Sequence, residues 1–308
     1  MKKQLFFQSA VVSTILSYLL IFVGGLVRVS GSGMGCPDWP RCFGRWIPPT
    51  SVDQIPSYID PTAFNIVLAW IEYSNRSLGV LVGLSIIVLN IIAIYYFRKE
   101  TKLLISAILS LILVVANGGL GAIVVSSILN PFLVSLHMIL ALMLVSVLSY
   151  ACIESYKLIH KDKFKNLQGS RTLSNSLILF WLLIFIEILL GTGIRTNLEL
   201  ISIDNPLLSK GELLNALDSY KYFHSFLGFT LLFLSIYIYA KLKNHNLFIA
   251  KFLGIFILGM IIVQIFLGEM MVFFELPQLT RLFHTWGSSW LVGVIIILYN
   301  CISNERSK

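Results

Sequence analysis

The sequence predicts an all-α integral membrane protein with eight transmembrane helices, arranged as two tandem, pseudo-symmetric four-helix bundles with both termini in the cytoplasm. Three observations predict this fold. The 308-residue chain is 57% hydrophobic and only 12% charged, it contains eight long apolar runs, and its two halves resemble each other. A mean hydropathy of +0.85 excludes an ordinary soluble domain.

Each apolar run is long enough to span a membrane as a helix. About 20 apolar residues cross a hydrocarbon core of roughly 30 Å, and lipid requires backbone polar groups to be satisfied internally. The runs lack the alternating polarity of barrel strands, so helices are expected. The first run follows MKK without a small-residue cleavage site, which favours a helix over a signal peptide. The runs lie near residues 8–28, 65–97, 103–126, 131–156, 173–195, 220–242, 248–272 and 279–302.

The basic residues indicate the topology. The net charge is +8, and most of the 23 lysines and arginines lie in the two terminal segments and in the connections after helices 2, 4 and 6. These segments share one side of the membrane in an eight-helix chain, so the positive-inside rule places them in the cytoplasm. The distribution predicts a multi-pass protein of the cell membrane and explains the basic excess without a nucleic-acid partner.

The two halves of the chain repeat. Gly121 and Gly268 are 147 residues apart, and so are His137 and His284. Two further segments align: GGLVRVS at 24–30 with GTGIRTN at 191–197, and EYSNRSLG at 72–79 with KYFHSFLG at 221–228.

This duplication is typical of parallel internal repeats and predicts three parts. They are an N-terminal half at 1–160 with an outer loop at 29–64, a cytoplasmic linker at 161–172, and a C-terminal half at 173–308.

The repeat places a polar residue of the ligand type near the outer end of each even-numbered helix: Asn75, His137, His224 and His284. Two neutral imidazoles on different helices suit a haem iron with two histidine ligands. We therefore expect His224 and His284 to hold a haem in the second half. Zinc is the alternative, but it needs further ligands, for which the sequence offers only Glu269 and Glu275 nearby.

In the first half, His137 stands alone, with Asn75 at the position of its symmetric partner. An amide is a poorer ligand for haem iron than imidazole. The first half is therefore expected to bind a haem through one histidine at most, and this haem should be exchangeable rather than permanently bound.

One face of helix 2 carries Glu72, Asn75, Arg76 and Gly79 at helical spacing. An i,i+4 ion pair of Glu72 with Arg76 at the start of the helix, worth about 0.3 to 0.5 kcal/mol if exposed, is one interpretation. The other is that Glu72 faces a haem edge as a proton acceptor or charge stabiliser. Glu187, an acid inside the fifth run, has no evident partner.

Two further pairs lie toward the outer side. Arg28 and Arg195 repeat at the outer ends of helices 1 and 5, where arginine either snorkels or binds a carboxylate such as a haem propionate. Cys36 and Cys42 lie on the outer loop, where a disulfide is permitted; a redox-active or metal-binding thiol pair is the alternative.

Together these residues resemble the haem A synthase family over essentially the whole chain. The resemblance rests on GGLVRVSGSGMGCPDWP after helix 1, WIEYSNR at the start of helix 2, and the LG-to-Pro-to-His stretches that lead into helices 4 and 8. It implies an oxidoreductase that converts the C8 methyl of haem O to a formyl group by successive hydroxylations, giving haem A for terminal oxidases.

The resemblance also implies roles for particular residues. His224 and His284 would bind the iron of a haem b, and His137 that of the substrate haem. Glu72 would be catalytic, and Arg76 would orient Glu72 or a propionate. The implied haem sites lie toward the extracytoplasmic side, with a haem O synthase and an electron acceptor as membrane partners and a homo-oligomer as a possible assembly.

The chain departs from the family pattern at three places. Asn75 replaces a histidine, which leaves a position open on the substrate iron, and Ser225 replaces a common arginine. A second cysteine pair is missing between residues 196 and 219. Two rival classes remain: a non-catalytic b-type haem protein that transfers electrons, and a transporter.

Overall fold

Among the residues that the computed structural model describes, eight helices are long and apolar enough to cross a membrane. The structure describes residues 1–164, 171–217 and 219–302. Parts of the expected linker (165–170) and of the C-terminal segment (303–308) lie outside these ranges. The spanning helices are α1 (Lys2–Ser30), α2 (Ile66–Tyr96), α3 (Thr101–Ser126), α4 (Pro131–Ile159), α6 (Arg171–Asp204), α8 (Tyr220–Leu242), α9 (Phe248–Phe273) and α10 (Gln278–Ile302), with α5 (Lys161–Phe164) and α7 (Lys210–Asn215) as short helices.

The prediction of an all-α chain with eight spanning helices is confirmed over the described residues. The helix ends differ from the apolar runs, most clearly in α6, which continues to Asp204 although its run ends near residue 195. Hydropathy detects the lipid-crossing part of a helix, whereas the helix itself continues into polar sequence. An i,i+4 pair supports this extension, because Arg195 Nη2 lies 3.8 Å from Glu199 Oε1.

The chain forms two compact units, Met1–Ser155 and Tyr156–Lys308. In the first unit, α2 packs against both α1 and α3. The α4 helix joins them through the Thr14 hydroxyl, 3.4 Å from Cys152 Sγ, and through Lys102 Nζ, 3.6 Å from Glu154 Oε2. In the second unit, α6 contacts α8 and α10, and α9 also contacts both of these helices.

The repeat extends to the backbone conformation of two turns. Ile128 and Leu129, after α3, have φ angles of 54° and 59°, and Glu275 and Leu276, after α9, have φ angles of 53° and 62°. The left-handed region is uncommon for residues other than glycine. Its recurrence 147 residues later indicates that both units start their histidine-bearing helices, α4 and α10, in the same way.

The loop between α1 and α2 (residues 31–65) folds against the first turns of α2. It leaves α1 at Gly31, which adopts the left-handed conformation, and it ends at Asn65, whose side chain accepts hydrogen bonds from Val67 N and Leu68 N. Within the loop, a disulfide joins Cys36 to Cys42, which confirms the predicted bridge.

The disulfide forms part of a small core that the loop shares with α2. Both cysteines and Phe43 are almost fully buried and pack with Ala69 of α2. The Asp38 carboxylate supports this turn, because its oxygens accept hydrogen bonds from Phe43 N and Gly44 N at 2.6 and 2.8 Å. The loop is therefore a packed element rather than a loose connection.

Gly35 is the point of closest approach between the loop and α2. A Cβ on Gly35 would lie 2.6 Å from the carbonyl carbon of Leu68 and 3.0 Å from the backbone nitrogen of Ala69. Main-chain atoms of a helix cannot move aside as a side chain can. The backbone of Gly35 is right-handed (φ −65°, ψ −22°), a conformation open to any residue. A larger residue is therefore excluded by steric overlap with α2 and not by backbone strain.

We expect Gly35→Ala to destabilise the protein by roughly 1 to 3 kcal/mol, because the added methyl overpacks the contact between loop and helix. The measurement is thermal unfolding of the purified protein in detergent. Gly83→Ala is the matched control, since no atom lies within 4 Å of its Cβ position in α2. Equal stability of the two variants would contradict the packing described here.

Candidate functional site

Each of the four ligand-type residues lies against a glycine of the preceding spanning helix. The distances from the Cβ position of the glycine to the facing side chain are 3.6 Å for Gly24 to Asn75 Oδ1, 3.4 Å for Gly121 to His137 Cε1, 3.3 Å for Gly191 to His224 Cε1, and 3.8 Å for Gly268 to His284 Cε1. At these distances, a side chain larger than a methyl group at the glycine position would displace the polar residue that faces it. The glycines therefore set how closely each helix approaches the polar side chain that faces it.

In the second unit, the rings of His224 and His284 lie close together. Their centroids are 6.2 Å apart and their planes are inclined by 67°. Imidazole nitrogens bind metals at about 2.0 Å, so two histidines on opposite sides of one metal ion have ring centroids roughly 6 Å apart. The observed spacing fits a single metal between the two rings.

Each of the four ligand-type residues carries a buried polar atom that makes no aligned hydrogen bond. Nδ1 of His137, His224 and His284 and Oδ1 of Asn75 are buried without a hydrogen-bond partner. Buried unpaired polar atoms cost free energy, and native proteins contain few of them. All four residues that the repeat singles out carry such an atom, which favours a binding site in each unit.

A tetrahedral zinc site does not fit these residues. Within residues 1–164, 171–217 and 219–302, no group of three or more His, Cys, Asp and Glu side chains is placed to hold a metal ion. A haem brings four nitrogen ligands of its own and needs only two axial ligands. The imidazole pair therefore fits a haem with both axial positions filled by histidine.

Glu72, in the first unit, is buried, with a relative exposure of 3%. Its Oε2 accepts a hydrogen bond of 2.8 Å from Cys36 N, and its Oε1 pairs with the guanidinium of Arg76. The i,i+4 ion pair of Glu72 with Arg76 is therefore present, with the carboxylate buried rather than exposed. Sequence spacing showed that Glu72 and Arg76 share a helix face, but nothing local to helix 2 points to Cys36 as a partner.

Arg76 holds the disulfide turn onto α2. Its Nη1 donates to the carbonyls of Asp38 and Arg41 at 2.7 and 2.8 Å, and its Nη2 lies 3.3 Å from the carbonyl of Cys36. Together with the ion pair to Glu72, these hydrogen bonds connect the guanidinium to both α2 and the loop. The carboxylate of Glu72 is thus held in one orientation.

Arg28, Arg195 and Arg281 also lie on spanning helices. Arg28 is half-buried near the end of α1, and Arg195 occupies the equivalent place in α6, paired with Glu199. Arg281 was not singled out in the sequence, although it stands three residues before His284, a spacing that puts both on one side of α10. Its Nε is buried without a hydrogen-bond partner.

In the structure, Glu187 lies next to His224, a partner that the sequence did not indicate. Its Oε1 lies 3.2 Å from Nδ1 of His224, close enough for an ion pair or hydrogen bond but without hydrogen-bond alignment. Lys221, which occupies the position of Glu72 in the second half, instead donates to the carbonyl of Leu214 at 3.1 Å. The two units therefore place their acids differently.

Comparison with known proteins supports the resemblance. Residues 8–296 match the family described as cytochrome oxidase assembly protein (COX15-CtaA). Similar proteins named Heme A synthase occur in Geobacillus thermodenitrificans (30% identity over 136 residues, 44% of this chain and 38% of that protein), in Listeria monocytogenes serotype 4a (28% over 140 residues, 46% and 41%) and in Geobacillus kaustophilus (26% over 137 residues, 44% and 38%).

The aligned region spans about two fifths of the length of these relatives. The family match is much longer, since it includes the α1–α2 loop, both sets of ligand-type residues and all eight spanning helices, apart from the ends of α1 and α10. The chain therefore belongs to the cytochrome oxidase assembly protein family.

Proposed function

We propose that this protein is a haem A synthase, an oxidoreductase that converts the C8 methyl of haem O to a formyl group. The observation that carries the proposal is the asymmetry of the repeat. The second unit holds two imidazoles at the spacing of one metal. The first unit has a single histidine at these positions and a buried carboxylate, Glu72, one turn from Asn75.

The second unit is the site of a resident haem b. His224 and His284 would bind its iron, and Arg195 would bind a propionate. When bound, this haem supplies one-electron transfer to or from the substrate site. The protein contributes the two imidazoles and, through the flanking glycines, the close packing that holds them in place.

The first unit is the site of the substrate, haem O. His137 would be its iron ligand, Asn75 occupies the position of the second ligand in the repeat without being a strong ligand, and Arg28 is the counterpart of Arg195 for a propionate. A substrate iron with one firm ligand exchanges more readily than one with two. This difference suits a molecule that must enter as haem O and leave as haem A.

Glu72 and Arg76 are the catalytic pair of the proposal. Two successive hydroxylations convert the methyl to a gem-diol, which loses water to give the aldehyde. The carboxylate of Glu72 accepts the proton released at the methyl carbon or stabilises positive charge there. Arg76 keeps the carboxylate oriented, and the disulfide turn above it limits the access of water. The oxidant comes from outside the chain.

The proposal extends to the setting of the reaction. The two halves act as a substrate-haem half (1–160) and a haem b half (173–308), joined by the linker at 161–172. Both termini lie in the cytoplasm, and the haem sites lie toward the extracytoplasmic face of the cell membrane. A haem O synthase would deliver the substrate, a membrane electron acceptor would complete the reaction, and the protein would be free to assemble as a homo-oligomer.

One observation favours a second candidate, a non-catalytic b-type haem protein that transfers electrons. Both oxygens of Glu72 already have partners in Arg76 and Cys36. A carboxylate whose only task is to hold the loop would show the same contacts. The two candidates differ in whether haem A is formed.

The first test is haem extraction after expression beside a source of haem O. We expect the unsubstituted protein to yield haem A. Glu72→Gln can still accept the hydrogen bond from Cys36 N but lacks the charge, so it should bind haem and accumulate haem O or a hydroxylated intermediate. Its rate of haem A formation should fall by about 10²-fold or more, as for loss of a general base.

Asp53→Asn is the matched control, because it removes an exposed acid from the loop that Glu72 contacts. Glu72→Ala separates structure from chemistry, since it also loses the contact with the loop and should unfold at a lower temperature than Glu72→Gln. Absence of haem A from the unsubstituted protein, with haem bound, would favour the electron-transfer candidate.

The second test assigns the ligands. His224→Ala and His284→Ala should each abolish the tightly bound haem, because each removes one of its two imidazole ligands. His137→Ala should retain this haem and its low-spin absorption spectrum. The measurement is haem content per protein after purification. Loss of the tightly bound haem from His137→Ala alone would show that the two halves have the opposite roles.

A further inference from the structure

Glu187 and His224 share a gap that glycines create on both helices. Gly191, one turn after Glu187 on α6, leaves space for the imidazole, with its Cβ position 3.3 Å from His224 Cε1. Gly228, one turn after His224 on α8, leaves space for the acid, with its Cβ position 3.3 Å from Glu187 Oε1. Each helix thus has a glycine that makes room for the polar side chain of the other helix, and the carboxylate and the imidazole can approach each other.

The contact joins Glu187 Oε1 to His224 Nδ1. His224 Nδ1 and Glu187 Oε2 are both buried and without hydrogen-bond partners, while Glu187 Oε1 lies 3.2 Å from Nδ1. That separation is at the limit for an N–H···O bond, and a small rotation of the carboxylate would align it. A charge-assisted hydrogen bond of this kind is stronger than one between neutral groups.

The first unit lacks this acid. Glu187 stands four residues before Gly191, and the residue four before the equivalent Gly24 is Leu20. The polar residue that faces Gly24 is Asn75, which has no ring N–H to donate. An acid thus accompanies the histidine of the proposed resident site and is absent where the histidine is replaced.

We propose that Glu187 is a positioning residue that sets the reduction potential of haem b, an inference that rests on the proposed function of the second unit. Its carboxylate accepts the hydrogen bond from Nδ1–H of His224. This fixes the tautomer in which Nε2 is free for the iron, and it holds the plane of the ring. It also makes the imidazole a stronger electron donor, which stabilises the ferric state and lowers the potential.

The test measures the midpoint potential and the spectrum of the bound haem rather than the synthesis of haem A. Glu187→Gln should keep the haem and its low-spin spectrum while the midpoint potential rises. A change of about tenfold in the reduction equilibrium corresponds to ~59 mV for one electron. Glu187→Leu, which copies Leu20 of the first unit, should raise the potential at least as far and shift the electron paramagnetic resonance g values as the ring loses its anchor.

Asp204→Asn is the matched control, because it removes one exposed acid at the far end of α6 and should leave the potential unchanged. If Glu187→Gln retains the haem with the potential of the unsubstituted protein, the inference about Glu187 is wrong and the proposed function stands. If the unsubstituted protein has no low-spin haem that His224→Ala removes, the proposed function itself fails.

A third variant covers the case in which Glu187→Gln folds but carries no haem. Glu187→Asp keeps an acceptor on a shorter side chain, so it should restore the haem together with a potential below that of Glu187→Leu. Folding is checked by size-exclusion elution in detergent. A folded, haem-free Glu187→Asp protein would overturn the proposal, because an acceptor at this position would then be insufficient.

Discussion

The contact between a polar side chain and a glycine on the neighbouring helix is the constraint on which the sites of both units depend. Because lipid provides no hydrophobic drive for helices to associate, they pack through small residues that allow close approach. Here the space left by each glycine is taken by an imidazole or an amide. Helix packing and ligand placement are therefore the same interaction, and a side chain added at the glycine would disturb both.

The first unit adds a second constraint through its loop. Glu72 and Arg76 occupy the helix face that also carries Asn75, and their polar atoms bind the backbone of the disulfide turn. A buried carboxylate is costly unless it is paired and hydrogen-bonded. The loop and Arg76 supply those partners, so the position of the acid depends on the fold of a segment outside the helices.

The two units keep the same backbone plan while their chemistry differs. The left-handed turns before α4 and α10 and the glycines facing the ligand-type residues recur in both. The acids do not recur: the first unit has one beside the disulfide turn, and the second has one beside a histidine. Within the proposed function, this divides the work between a substrate site and a resident cofactor site.

The sequence by itself determined the eight helices, the duplication, the four ligand-type residues and the family, because hydropathy and spacing are local properties of the chain. Only the tertiary structure decided the partners of Glu72 and Glu187. Glu72 meets Cys36, 36 positions earlier, and Glu187 meets His224 on another helix. Such contacts depend on how each helix is rotated about its axis and shifted along it relative to its neighbours. Packing between the helices and the loop determines both.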